Sequence, residues 1–511
     1  MRGRITVLLF FLATLSAACG WTTAPLAPTP FPSAYVLVTV DVNASPTPTP
    51  FQPVREPLPT ATLALPASTS TATPPPTPTP TPTPAAGLRP RYTLLVNLDY
   101  EAHRLAVDET IVYPNAGGET LDRLRLAVEP NRWPGCFALT GLTVNDQAVT
   151  DSVLSGGWLE VPLGASLAPG ETVTLKLLYT LSMPWAGPQQ IFGYNDRQLN
   201  AVDWYPFVVP YVAGRGWVNH EPTTVGEHLV YDVADFEVTI HLTGSVTSGL
   251  VIAASAPAEG ERYRLTGARN FAFSVSPDFQ SRSTTAAGVT ITSYYFESEA
   301  YAGDALLGPI ARALTTYGQR FAPYPYPSLS IVEADYPDGL EHCGLFFLSR
   351  RFYTDYDGGM LNDLIVIGVH ETAHNWWYGL VGNDQALEPW LDEALATYSE
   401  YVFYSDNYPG LTNGWWDSRV NAFQPGGWVD VTIYNGGDFR PYTNAVYLQG
   451  ARFLHALRQR MGDAAFFAFL RAYAAQLAYR RASAADFFAL ARQYSTTDFS
   501  DLVGAYFQNA P

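Results

Sequence analysis

Cysteine is nearly missing from this chain, with three in 511 residues. That scarcity excludes a disulfide scaffold and any cysteine-rich metal centre. Basic residues are also few, 29 Lys and Arg against 47 Asp and Glu, for a net charge of −18. Such a balance argues against nucleic acid as a partner, because phosphate binding needs a basic surface that releases counterions. Beyond the first twenty residues no run reaches 18 uninterrupted apolar positions, so no later membrane span is expected. Proline is plentiful but unevenly spread: 18 of the 41 fall between Pro25 and Pro84. The remainder has the usage of an ordinary folded protein, and its length allows two or three domains.

The N-terminus has Arg2 and Arg4, an apolar run from Ile5 to Ala18, then Cys19. The run is too short to span a bilayer and suits the apolar region of a signal peptide over residues 1–18. Leu15-Ser16-Ala17-Ala18-Cys19 is similar to a bacterial lipoprotein cleavage box. That similarity implies an acylated Cys19 and a membrane-anchored, exported protein; an ordinary secretory signal cut near the same small residues is the alternative. Residues 19–88 are low-complexity, with repeated Thr-Pro pairs and only Asp41, Arg55 and Glu56 charged after Trp21. A segment that buries so little cannot offset its chain entropy, so an extended, partly polyproline-like stalk with a reach on the order of 200 Å is expected.

Residues 89–293 read as an antiparallel β domain. Alternating runs such as Tyr92–Leu98 and Thr172–Leu177 are separated by turn signals such as Pro169-Gly170. Residues 294–511 read as mostly helical, with period-3.6 patterns over Ala305–Phe321, Val446–Met461 and Ala464–Leu477.

Inside the second region an apolar run, Leu364–Val369, leads into His370-Glu371-Thr372-Ala373-His374. On a helix, His370 and His374 share a face and can grip one ion, while Glu371 is turned about 100° away toward a water on it. With eight histidines in the chain, an accidental match is expected roughly 0.01 times. Two surface histidines flanking a glutamate would not follow an apolar run. Imidazole pairs of this kind usually hold zinc, which needs a third protein ligand and an open position for catalysis. Downstream, Glu388-Pro389-Trp390-Leu391-Asp392-Glu393 places Glu393 near a helix start after Pro389, with 18 residues between it and His374. Asp384, Glu388 and Asp392 read better as loop or cap residues.

These motifs resemble the zinc aminopeptidase family that includes aminopeptidase N and the leukotriene-A hydrolases, of the gluzincin metallopeptidases. Asp338-Gly339-Leu340-Glu341-His342 is similar to the family's Gly-x-Met-Glu-Asn, and Val446-Tyr447-Leu448-Gln449-Gly450 to its Tyr-x-Lys-Gly. The resemblance implies an α+β, multidomain fold, an N-terminal antiparallel β saddle domain followed by a mostly helical, thermolysin-like catalytic domain. It implies one zinc ion on His370, His374 and Glu393, with Glu371 as general base and Tyr447 donating to the oxyanion. Gly339 and Glu341 are implied to bind a peptide substrate, Glu341 at its free α-ammonium. Leu340, His342, Ala394 and Gln449 depart from the family pattern. The family's second ammonium-holding residue, from the β domain, has Gln198 as its candidate here. Only 137 residues follow His374, so the helical domain that roofs the site in many members is expected to be absent. Three readings of function stand: an aminopeptidase, a broader or endo-acting zinc peptidase, and a stalked binding module that keeps its metal.

Glu400, seven residues after Glu393, suits either support of a ligand or the surface. His103, His241 and His455 have no ligand partner at useful spacing, and Pro222 denies His220-Glu221-Pro222 the helix a metal grip needs. Cys136 and Cys343 allow either a disulfide or two buried thiols.

Overall fold

The computed structural model describes residues 89–509 apart from Pro188, all within one compact unit. The signal peptide, Cys19 and the stalk read from the sequence lie outside the described residues. No helix among the described residues is long and apolar enough to cross a membrane.

Alternating burial builds the first half. Arg91–Asp99 hides every second side chain, and it lies in an eight-stranded sheet between Arg104–Pro114 and Ala234–Thr243. The pairing with Ala234–Thr243 is parallel, whereas the other ladders of this sheet are antiparallel. Two four-stranded sheets and a two-stranded one, Tyr211–Val212 with Gly216–Trp217, complete the domain, and one continuous apolar core holds Trp204 and Tyr205 fully enclosed.

A five-stranded sheet begins the second half. Phe279–Ala286 and Val289–Phe296, read above as the end of the β domain, pair with each other. Val289–Phe296 then runs parallel to Ser328–Ala334. Leu345–Ser349 and the edge strand Gly339–His342 finish the sheet. Both of its faces are covered. Ile291, Ile331, Phe346 and Leu348 pack on the helices, while Phe296, Val332, Leu345 and Phe347 pack into the core of the β domain. Alternation reports burial on two faces but not which sheet a strand joins, so nothing in the sequence marks this hairpin as pairing with Ser328–Ala334.

The expected helices form at Ala300–Arg320 and Asp463–Gln476. The third differs: Gly450–Met461 is α-helical, but Asn444–Gln449 before it is wound as a π-helix. The Tyr317 hydroxyl, from the first of these helices, donates to the carbonyls of Val369 and Ser399 at 3.1 and 3.0 Å. It thereby joins the two helices that carry the His–Glu–His and Glu393 motifs. Cys136 and Cys343 are both buried free thiols.

Candidate active site

The helix Asp363–Ala373 is capped by Asn362, whose side chain accepts from the Leu364 amide at 3.0 Å. Its residues from Leu364 onward are all buried, so His370 and His374 emerge inside the protein. Glu393 arrives on Trp390–Asn407, in the first turn after Pro389. The close approach of that helix to Gly450 depends on a missing side chain, since a Cβ on Gly450 would overlap the Ala394 Cβ. The methyl of Ala394 is thus accommodated by the glycine opposite.

Three donor atoms converge. His370 Nε2 and His374 Nε2 are 3.1 Å apart, and Glu393 Oε2 lies 3.3 and 3.5 Å from them. A point ~2 Å from all three exists, the length of zinc–nitrogen and zinc–oxygen bonds. The outer ring nitrogens are committed elsewhere. His370 Nδ1 donates to Glu400 at 2.9 Å and His374 Nδ1 to the Trp377 carbonyl at 3.1 Å, which leaves both Nε2 lone pairs free for a cation. Glu400 is fully buried, and it also accepts from Trp415 Nε1 at 2.8 Å and from Arg419 at 2.9 and 3.0 Å. Two neutral imidazoles and a carboxylate form the donor set of a hydrolytic zinc site, so the residues fit the metal.

The charges are strongly coupled. Burial opposes ionisation of Glu393, yet His374 and His370 hold it well below the usual carboxylate range. Burial pushes Glu371 up to about 8 against the pull of both histidines. Glu371 Oε2 has no hydrogen-bond partner. Gly339 presses its backbone against this carboxylate, where a Cβ would overlap Glu371 Oε1.

Carboxylate oxygens of Glu341 and Glu371 and a ring nitrogen of His374 lie within 4.8 Å of one another. Gln385 Nε2 donates to Glu341 Oε1 at 3.3 Å. The Tyr447 ring lies 6.1 Å from that of His370 and nearly parallel to it, carried by the π-helical turn. The structure therefore gathers His370, Glu371, His374, Glu393, Gly339, Glu341 and Tyr447 in one place.

Gln198 is not among them. It is buried in the β domain with Nε2 on Asn200 at 2.8 Å. Glu227 stands at the site instead, its carboxylate within 4.8 Å of those of Glu341 and Glu393. Sequence reasoning passed over Glu227 and Gln385 because nothing local marks them; the motif at Glu341 gives no distance to either. The other six histidines have partners of their own, His342 with Asn270 at 2.8 Å. His220 meets Asp384 at 3.0 Å, His228 meets Glu129 at 3.3 Å, and His241 meets Glu261 at 3.1 Å. His103 stacks on Tyr194, and Tyr398 bonds His455 at 3.1 Å.

The pattern of the peptidase family M1 domain matches residues 307–506, a stretch that contains every one of these motifs. Residues 307–506 are a peptidase family M1 domain. Relatives of this M1 domain include aminopeptidase M1-D of Oryza sativa subsp. japonica, 24% identical over 208 residues, which are 38% of this chain and 24% of that protein. Human endoplasmic reticulum aminopeptidase 1 is 28% identical over 211 residues, 38% of this chain and 22% of its own length. The chain thus spans about a quarter of the length of these relatives. Among solved structures, an M1 zinc metallopeptidase from Deinococcus radiodurans superposes with a TM-score of 0.59 at 20% identity, covering 83% of this chain and 94% of that one. A mutant of the Deinococcus enzyme bound to a Tyr-Ser-Ala substrate gives the same score, with 83% and 95% covered. This likeness extends the shared fold over the β domain as well as the M1 domain.

Proposed function

We propose that the chain is a zinc aminopeptidase that removes the N-terminal residue of peptides. The observation that carries this reading is the placement of Glu341. A buried carboxylate beside the general base and the metal ligands puts a free α-ammonium one residue away from the bond to be cut.

His370, His374 and Glu393 would hold one zinc ion. Zinc bound there supplies a Lewis acid and lowers the pKa of a coordinated water toward ~7. Glu371, whose Oε2 has no hydrogen-bond partner and whose carboxylate lies within 4.8 Å of a His374 ring nitrogen, takes the proton of the attacking water and passes it to the leaving amine nitrogen. The Tyr447 hydroxyl donates to the scissile carbonyl oxygen as negative charge develops there. Glu341 and Glu227 cradle the α-ammonium, and Gln385 orients Glu341 through its amide. Gly339 lets the edge strand approach Glu371 without a side chain between them. Glu400, fixed by Arg419 and Trp415, sets the ring angle of His370.

Hydrolysis of amino-acid arylamides tests the reading. Activity is expected from the wild type, to be abolished by a chelator and restored by zinc, and to fall by ~10²–10⁴ in Glu371→Gln. A zinc-loaded wild type without activity contradicts it. The signal-like run ending at Cys19 further supports export and lipid anchoring to the cell envelope, with the working domain outside the cytoplasm on its Pro/Thr-rich stalk.

A further inference from the structure

The cavity beside Glu341 carries more negative charge than an α-ammonium can answer. It has a volume of about 350 Å³, and its wall holds four carboxylates, Glu129, Asp203, Glu227 and Glu341, two imidazoles, His228 and His342, and no lysine or arginine; His228 is taken by Glu129 at 3.3 Å. Glu129 is neutralised from behind by Arg132 at 2.8 Å. Under the aminopeptidase reading, Glu227 and Glu341 share the α-ammonium. Asp203 is left over. Its hydrogen-bond partner is the neutral Tyr231 hydroxyl at 2.5 Å, and burial pushes its carboxyl up to about 6.

Other features of the wall point to an occupant. Glu341 is 7% exposed, with the neutral Gln385 amide as its hydrogen-bond donor. The Tyr442 hydroxyl, on a residue 2% exposed, has no partner and abuts Gly226 in the lining. Asp203 is held at a φ of 47° and Tyr378 at 114°, backbone states that cost free energy and persist where surrounding structure imposes them. Trp133, Phe192 and Tyr336 add aromatic surface to the lining, which suits an aliphatic stem ending in a cation. A neutral side chain here would leave the Asp203 carboxylate with the Tyr231 hydroxyl but no cation against it in the filled pocket, which is costly.

We propose that this cavity receives the side chain of the substrate's first residue and selects a cationic one, lysine or arginine, with Asp203 as its counter-charge. The assignment rests on the aminopeptidase reading and names the substrate class within it.

Lysyl and norleucyl arylamides have first side chains of equal carbon length and differ in the terminal ammonium, so they isolate the charge. With the zinc-loaded, full-length protein, kcat/KM for the lysyl substrate is expected to exceed that for the norleucyl one by at least ~10-fold, and Asp203→Asn should collapse the ratio below ~3-fold. Equal rates, or a norleucyl preference, in the wild type would overturn the assignment, whether or not the variant folds. Calorimetric titration of Glu371→Gln protein with L-lysinamide and L-norleucinamide gives a readout independent of turnover. Tighter lysinamide binding supports the cavity assignment, and equal binding overturns it. Loss of hydrolysis toward both arylamides in the wild type would instead count against the aminopeptidase reading.

Discussion

Glu341 and Glu371 are buried acids whose side chains reach within 4.8 Å of each other, yet they face different tasks. Glu341 is engaged by Gln385, whereas Glu371 keeps an unpartnered oxygen. Roles of this kind predict different kinetic signatures. Glu341→Gln should raise KM for substrates with a free amine by more than it lowers kcat. Tyr447→Phe should lower kcat by ~10²–10³ with KM little changed, because in the proposed mechanism its hydroxyl acts on charge that develops only in the transition state. Steady-state kinetics on one arylamide separates the two. At this scale the sequence was legible wherever spacing along one helix decides geometry, as for His370, Glu371 and His374. Glu227 was not legible, because its approach to Glu341 joins segments more than 100 residues apart, and no local pattern encodes that meeting. Gln198 failed for the same reason in reverse: its amide is consumed by Asn200 and Ser274 inside the β domain.

Helices and strands position these groups through a few close contacts. Glu400 connects Trp390–Asn407 to the turn carrying Trp415 and Arg419 and holds His370 from behind. Glu400→Gln keeps the shape but weakens the acceptor, and it should lower zinc affinity by ~10–100-fold, measured by competition with a chromophoric chelator. Unchanged affinity would reduce Glu400 to a packing role. Arg269 does comparable work between domains, giving its buried guanidinium to the carbonyls of Tyr231, Tyr378 and Arg480. The helical periods of Ala300–Arg320 and Asp463–Gln476 could be read directly. The π-helical turn before Gly450 could not, since it adds a residue to a turn whose apolar pattern still looks helical. The pairing of Val289–Phe296 with Ser328–Ala334 could not be read either, because alternation within a strand does not say which sheet the strand joins.

The whole molecule combines a charge of −18 with acids sunk in its cores. Glu109 is the extreme case: fully buried in the β domain, with neither carboxylate oxygen hydrogen-bonded. Burial holds its carboxyl well above the ordinary value of 4.5. The folded state therefore binds a proton that the unfolded chain releases. This contribution to stability is complete below pH 4.5 and is lost as pH rises toward the folded value. Glu109→Gln should flatten the decline in stability between pH 5 and 8, by up to ~1.4 kcal/mol per pH unit. Thermal melts across that range in both proteins check it, and identical slopes would contradict it. Nearer the N-terminus, the proposed lipid anchor predicts that Cys19→Ala shifts the protein from the membrane fraction to the soluble one; unchanged partition would contradict it.

The central claim is that a free α-amine, held by Glu341 beside the metal ligands, determines which bond is cut. Mass spectrometry of one peptide offered in free and N-acetylated forms to the zinc-loaded, full-length protein tests it most directly. Stepwise loss of single residues from the free peptide, with its acetylated twin intact, is the predicted result. Internal cleavage of the acetylated peptide at a comparable rate would contradict it.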